Sequence, residues 1–471
     1  MTLRCVVLCC AVIAAMTGVA RAQPVEPPAA PAAFTLPQAL EYANLHYPSV
    51  RAAIEQVNAS TANVNVARSA YLPRFDAIWQ TNRGTVNNIF GQLLPQSVIS
   101  SLSGPVLSSS SADSVWGTAA GGLLSWEPFD FGLRGSTVRE AQAAVNRARA
   151  DEGVTKLAVQ RAVALAFLDA VAAQQAVTAA EADVQRRQTI AQAARTLADN
   201  QLRPGAEASR ADAERAAALT RAIQARQALA IARATLTQVL GLVDGPVAVN
   251  ASALIEAAPT GTTAPVPDRL QHPLIQSGQA AVDLARARES VLGATDRPRV
   301  LLQSSLFARG SGATPDVIFG GTQGLGFERA NWAAGVQIVF PNLFDFASLR
   351  ARRVAAGALT RAEAARYDET LLKITSEERV AEAMVSATRD IAQNTPIQLA
   401  AAQQSEMQAR ARYENGLASI VEVAEAQNLL VQAEYLNAVA RVDVWRALLA
   451  KAAASGTLGS FIDTLRASGV Q

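Results

Sequence analysis

Trp126-Glu-Pro-Phe-Asp-Phe-Gly132 is the stretch that decides the fold, because its Phe129-Asp-Phe131 core returns 215 residues later as Phe344-Asp-Phe346. The same offset relates Asn200 to Asn415 and Leu240-Gly241 to Ser455-Gly456. Upstream the offset is 225. It pairs Pro48 with Pro273, and Tyr71-Leu-Pro-Arg-Phe75 with Asp296-Arg-Pro-Arg-Val300. Two constant offsets separated by one loss, between Phe75 and Phe129, read as an internal duplication with a second copy ten residues shorter. A period this long means two copies of one large unit rather than a short solenoid repeat. The expected division is a first repeat over 36–256 and a second over 257–471, each a helix, two strands and a helical hairpin.

What precedes the repeats reads as a secretory signal over 1–22. Arg4 opens it, an apolar run covers Cys5 to Ala15, and Ala20-Arg-Ala22 supplies a small-x-small cleavage pattern. The Pro/Ala-rich stretch over 23–35 is expected to be a linker. Cys5, Cys9 and Cys10 all leave with the signal, so neither a disulfide nor a thiolate metal site is expected in the mature chain. The chain carries 42 Lys+Arg and 40 Asp+Glu, and losing Arg4 and Arg21 balances the two signs. That argues against a nucleic-acid partner, which needs a basic excess. No run after residue 22 approaches about eighteen unbroken apolar residues, so no transmembrane helix is expected. A secreted chain of this kind is periplasmic, extracellular or an outer-membrane β-protein, and the strand segments choose among these.

Most of each repeat reads as long helix. Thr137 to about Asn200 has no proline and a single glycine, Gly153, and Thr360 to about Asn415 matches it apart from Pro396. Each run ends in a glycine-bearing turn, Arg203-Pro-Gly205 or Asn415-Gly416, after which a second helix returns. The last return helix carries two apolar seams. One runs through Val421, Ala424, Asn428, Val431, Tyr435 and on to Ala452; the other passes through Ala426, Leu429, Ala433, Leu436 and Ala440. At about 100° per residue these seams fall on nearly opposite faces, so the helix is expected to have a neighbour on each side, as a stave does in a barrel wall. The remaining segments alternate: Phe75, Ala77 and Trp79 against Asp76, Ile78 and Gln80, and Trp332, Ala334, Val336, Ile338 and Phe340 against their neighbours. Val115 to Trp126 and Val300 to Phe307 are the other two strands. Their length and one-sided apolarity suit outer-membrane barrel strands, and Trp79, Trp116, Trp126 and Trp332 fit an aromatic girdle. Gly/Ser-rich stretches, Gly84–Ser114 and Gly310–Arg329, read as exposed loops within each strand pair. Four strands cannot close a barrel, and open edges are not tolerated in lipid, so the chain is expected to oligomerise.

These residues together resemble the TolC-like outer-membrane factors of efflux pumps and type I secretion systems. The resemblance covers essentially all of 36–456. It rests on the duplication, the Tyr71-Leu-Pro entrance to the strands, Trp126 to Gly132 at their exit, and the tip Tyr413-Glu-Asn-Gly-Leu-Ala-Ser-Ile-Val-Glu-Val423. It implies a mainly α fold with long antiparallel hairpins in a trimeric α-barrel, and four strands per chain in a twelve-stranded transmembrane β-barrel. It further implies a homotrimer in outer-membrane lipid, with the helical barrel in the periplasm. The tips would meet a periplasmic adaptor, itself joined to an inner-membrane transporter of the RND, ABC or MFS type. The protein would be a conduit, without cofactor or catalysis. Gly205, Gly416, Leu417 and Ser419 would lie at the adaptor-docking tips, and Tyr413, Glu422 and Glu425 at the periplasmic entrance. The two glutamates, three apart, share a helix face and in three copies would form a cation-attracting ring. The family's better-known members carry Asp there and a basic residue shortly after the glycine, where this chain has Leu417-Ala418-Ser419.

Plainer readings stand beside these. Glu422 and Glu425 also fit a solvated helix face, and the two glycines fit simple helix terminators. His46 and His272, each just ahead of a proline, read as markers of a helix start. Pro396 would kink its helix and has no counterpart in the first repeat. The main alternative function is a periplasmic adaptor with a coiled-coil hairpin, which would lack duplicated strand pairs. A filamentous coiled-coil protein would lack the alternating segments altogether.

Overall fold

The computed structural model describes residues 33–85, 112–243, 247–250, 254–255, 268–313, 317, 321–341 and 345–467. The expected signal peptide, most of the linker, the centre of the first Gly/Ser-rich stretch and Phe344 lie outside them. In chain order the elements are β1 (Ala33–Phe34), α1 (Leu36–His46), α2 (Pro48–Ser69), β2 (Arg74–Thr85), β3 (Ser114–Phe129), α3 (Leu133–Asp199), α4 (Gly205–Leu240) and β4 (Ala248–Val249). There follow a 3-10 turn (Arg269–Gln271), α5 (Pro273–Ala294), β5 (Arg299–Ser311), β6 (Arg329–Val339), α6 (Phe346–Glu414), α7 (Ile420–Ala454) and α8 (Gly459–Ala467).

α3 and α6 have 67 and 69 residues, so each runs about 100 Å. They are the two continuous staves. In the strand-proximal half α2 packs on α3, α3 on α5, and α5 on α6; in the distal half α4 packs on α3, α3 on α7, and α7 on α6. The wall is four helices wide throughout, but the short helices change halfway. The return helix α7 uses both its seams. Asn428 on one accepts a hydrogen bond from Arg187 of α3 at 2.7 Å, while Ala433 on the other clusters with Ala402 of α6. Pro396 leaves α6 unbroken.

The principal core sits where the short helices exchange. It joins Phe34, Leu36, Leu40, Val163, Phe167, Leu168, Leu240 and Trp445. Trp445 is fully buried, donates to the Leu254 carbonyl at 3.1 Å and meets Phe461 of α8 edge-on. One stretch of α3 is long and apolar enough to cross a membrane by composition alone, yet half of it is buried within the fold; its Val163–Val171 portion belongs to this core. The end of the expected linker is not linker. Ala33–Phe34 pairs in parallel with Ala248–Val249, and Phe34 is buried.

Glycines close the returning helices on this core. Gly241 (φ +75°) sits against Tyr47 and Pro48, and Gly456 (φ +84°) against His272. His272 caps α5, its Nδ1 accepting from the Leu274 amide at 3.1 Å. Burial above all holds the imidazole pKa below its usual value, against the opposing pull of a hydrogen bond with the Ala453 backbone and of nearby Glu377 and Glu378. The ring is therefore a neutral cap, in keeping with the reading of His272 as a helix-start marker.

The four long strands form one antiparallel sheet in the order β2-β3-β5-β6. Among the described residues β2 and β6 each have one neighbour, so each leaves an edge unpaired. The alternation holds: Phe75, Trp79, Leu306, Trp332, Val336 and Ile338 are exposed on one face. Gly122 lets the Phe75 ring lie across the strand, since an added Cβ would meet that ring at 2.7 Å. The strands run longer than the sequence indicated, and part of the second expected loop is packed rather than exposed. Gly310, Gly312 and Gly324 are buried, and a Cβ on Gly310 would stand 1.7 Å from the Gly326 carbonyl oxygen.

The Phe129-Asp-Phe131 triplet makes the passage from β3 to α3. Phe131 and Gly132 take left-handed backbone at φ 52° and 109°, and Pro128 sits in an irregular stretch of the ladder, where its missing donor is harmless. Buried Asp130 accepts from the Gly132 and Arg134 amides and from the Arg134 guanidinium, which also reaches the Ala70 carbonyl and stacks on Tyr71. Burial acts to raise the Asp130 carboxyl pKa, but the accepted hydrogen bonds and the Arg134 charge together hold it below the usual carboxylate range.

Candidate functional site: the hairpin tips

At the end of the molecule opposite the sheet, two hairpins turn side by side. Both close by the same hydrogen bonding. The Gly416 amide donates to Tyr413 O and the Leu417 amide to Arg412 O; the Gln201 amide donates to Ala198 O and the Leu202 amide to Leu197 O. This double closure requires a left-handed residue just past the helix. In the second hairpin that residue is Gly416 (φ +77°), as expected. In the first it is Gln201 (φ 58°), not Gly205. Gly205 stands at the tip as the first residue of α4, behind Pro204, with open space where a side chain would go. The offset of 215 already maps Gly416 onto Gln201, which was the signal that could have found it. A left-handed L-residue costs about 1–2 kcal/mol, so Gln201→Gly should stabilise the first hairpin by roughly 1 kcal/mol, measurable as a raised denaturation midpoint. A lower midpoint would refute the assignment.

The tip leucines repeat as well. Leu202 and Leu417, also 215 apart, are 70 % and 71 % exposed. Ser419 caps α7, its Oγ accepting from the Glu422 amide at 3.4 Å.

Behind the turns the hairpins interlock. Tyr413 is buried with Ala418, Ile420 and Val423 against Ala191, Ala194 and Ala211. Its hydroxyl donates to Glu207 of α4 at 3.3 Å. Arg203 lies over its ring at 5.3 Å, reaches the Tyr413 carbonyl and pairs with Glu207 at 3.7 Å. Burial raises the phenol pKa, the Glu207 charge and hydrogen bond raise it further, and Arg203 opposes them. The phenol is thus a donor held between hairpins. Glu422 and Glu425 are exposed on α7. Glu422 lies 3.9 Å from Arg412 of its own hairpin; among the described residues no ion pair forms on Glu425.

Further from the tip a second junction centres on two buried side chains, Arg187 and Asp183. Arg187 of α3 is 2 % exposed. It bonds Asp183 at 2.8 Å, Glu214 of α4 at 2.9 Å and Asn428 of α7 at 2.7 Å. Arg221 of α4 holds the other Asp183 oxygen at 3.0 Å. Sequence reading named none of Arg187, Arg203 or Glu207 as a contact. Their partners lie on other helices, beyond the reach of local spacing.

At the sheet, Trp116 and Trp126 stand ten residues apart on one face of β3. Arg83 lies over the Trp116 ring, and Trp126 Nε1 donates to the Tyr71 carbonyl. Trp79 pairs with Ala120, and Trp332 with Leu306, itself opposite Gly122. These two rings therefore fall between the levels of the other pair.

The model of the family described as outer membrane efflux protein matches residues 39–242 and 268–457. Protein CyaE of Bordetella pertussis (strain Tohama I) is 27 % identical over 438 residues, covering 90 % of this chain and 85 % of CyaE. Among solved structures, the outer membrane protein VceC of Vibrio cholerae superposes with a TM-score of 0.70 at 17 % identity, over 90 % of this chain and 96 % of VceC. The CmeC outer membrane channel of Campylobacter jejuni gives 0.72 at 15 % identity, over 95 % and 94 %.

Proposed function

The chain belongs to the outer membrane efflux protein family, and from that premise we propose that three copies assemble into one continuous exit duct. That the protein is an outer-membrane channel of a transport system, and not an enzyme, comes with the family. The trimer, the twelve-stranded barrel and the duplication are our reading. The observation that carries it is the open four-stranded sheet with an apolar face. In lipid the free edges of β2 and β6 need partners, and β6 of one copy against β2 of the next satisfies both. Matched element lengths support the two repeats over 36–256 and 257–471: α2 and α5 have 22 residues each, and α4 and α7 have 36 and 35. Native mass spectrometry of detergent-extracted outer membranes is the test. A trimer mass supports the duct, whereas a soluble periplasmic monomer would defeat it and favour the adaptor reading.

The helical end would reach into the periplasm and meet an adaptor through the tips, with Leu202 and Leu417 as the exposed apolar contacts and Gly205, Gly416 and Ser419 shaping the turns. An inner-membrane transporter of the RND, ABC or MFS type would connect through that adaptor, in an efflux pump or a type I secretion system. Trp116 and Trp126 would mark the two edges of the lipid band, with Trp79 and Trp332 within it. Glu422 and Glu425 would line the entrance, with Glu425 the less compensated charge.

The Tyr413–Glu207 contact would hold the entrance narrow, because spreading the hairpins must break it. A hydrogen bond to a charged group contributes about 1.5–3 kcal/mol, so its loss in each copy favours opening by tenfold or more. Tyr413→Phe should therefore raise single-channel conductance in planar bilayers. Recordings identical to wild type would remove this contact from the gate.

A further inference from the structure

We propose that a groove at the sheet-proximal end of α6 binds the headgroup of an anionic phospholipid from the periplasmic leaflet of the outer membrane. The proposal rests on the membrane placement argued above and adds a ligand to it. The groove has a volume of about 590 Å³ and lies between α5 and α6. Arg350, Arg353 and Arg361 line it together with Phe346, Leu349 and Val354, and with the carboxylates of Glu289 and Asp296. Arg353 is paired with Asp296 at 2.8 Å. Among the described residues no ion pair forms on Arg350 or Arg361. Glu289 accepts a hydrogen bond from Thr360 at 3.0 Å and offsets one further charge, so the groove keeps one net positive charge, and the Arg350 and Arg361 guanidiniums offer planar donor forks to a phosphate.

The level is that of a lipid headgroup. Phe346 opens α6 only seven residues after Val339 ends β6. Phe346 is 74 % exposed, and Phe340, Phe129 and Phe131 are exposed near the same boundary. Exposed rings followed at once by arginines are the pattern of a membrane–water interface, and basic residues near such a surface attract anionic lipid.

The groove is not the face left for another copy. Gly357 and Thr360 turn toward Glu289 of α5. At about 100° per residue, Ala351, Ala355, Ala358, Ala362 and Ala365 share the opposite side of α6, and all five are exposed. That small-residue side suits close approach of a second helix. Arg350, Val354 and Arg361 fall between the two sides, on a flank open past both.

The test titrates the full-length detergent-extracted protein with phosphatidylglycerol and phosphatidylethanolamine under native mass spectrometry. Phosphatidylglycerol should be retained in preference, and Arg350→Gln/Arg361→Gln should weaken its retention at least fivefold with oligomer mass unchanged. Equal retention of both lipids, or no change in the double variant, would overturn the proposal. Inorganic phosphate competing as well as the lipid at equal concentration would assign the groove to free phosphate and overturn the lipid. Val354→Cys should react with aqueous maleimide in lipid-free protein and be protected by phosphatidylglycerol; a thiol already blocked without lipid would mean another copy covers the groove. A monomer mass would count against the duct itself, separately from any lipid result.

Discussion

Arg187→Met is expected to destabilise the protein by about 3 kcal/mol, the low end for breaking one side of a buried ion pair. The low end applies because Arg221 still reaches Asp183 and because Glu214 is partly open to solvent. What the variant strands is a carboxylate 1 % exposed between two hairpins. Adding Asp183→Asn should recover part of the loss, since the remaining group is then neutral, and such non-additivity marks residues in one network. Denaturant unfolding in detergent measures both. A loss under about 1 kcal/mol for the single variant, or strictly additive losses, would mean the cluster does not couple α3, α4 and α7.

Gly456→Ala should be nearly as damaging, and for two separable reasons. The left-handed backbone at φ +84° costs an L-residue about 1–2 kcal/mol. The new Cβ would also stand 2.8 Å from His272 Cα, backbone that cannot yield without shifting the start of α5. Gly416 isolates the first cause: its φ is +77° and an added Cβ meets only the tip of Arg203, at 3.7 Å. Gly416→Ala should therefore cost about 1 kcal/mol, and Gly456→Ala about twice that or more. Gly205→Ala, in open space on a helix, should be neutral or slightly stabilising. Equal effects at 416 and 456 would refute the packing half of this account.

The sequence carried the architecture because periodicity and punctuation are local. The alternation of Phe75 to Trp79 and Trp332 to Phe340, the long proline-poor runs and the two seams of α7 each depend on residues a few positions apart. Each seam found its own helix. The site was less legible. Gly205 drew the eye because glycine signals a turn, yet Pro204-Gly205 begins a helix and Gln201 bears the left-handed turn. Gln201 is not a residue type that announces such backbone, and only the repeat offset could have named it. Arg187 and Glu207 look like ordinary surface charges in a helix of alternating polarity. Their burial and partners depend on how two hairpins are rotated against each other, which no spacing within one helix encodes. The buried glycines of the β5–β6 connection mislead similarly, since Gly/Ser content suggests exposure while close backbone approach needs the same small residues.

A wall whose two long members are unspliced and whose four short ones are butt-jointed at mid-height behaves as a jointed mast. Among the described residues only α3 and α6 run as continuous helix through both tiers, because α4 and α7 end at Gly241 and Gly456, where α2 and α5 begin. Those joints are packed, with Gly241 against Tyr47 and Pro48 and Gly456 against His272, so they act as pivots between helix ends. In the trimeric duct proposed above, the distal mouth would then dilate about these pivots without loosening the sheet at the other end.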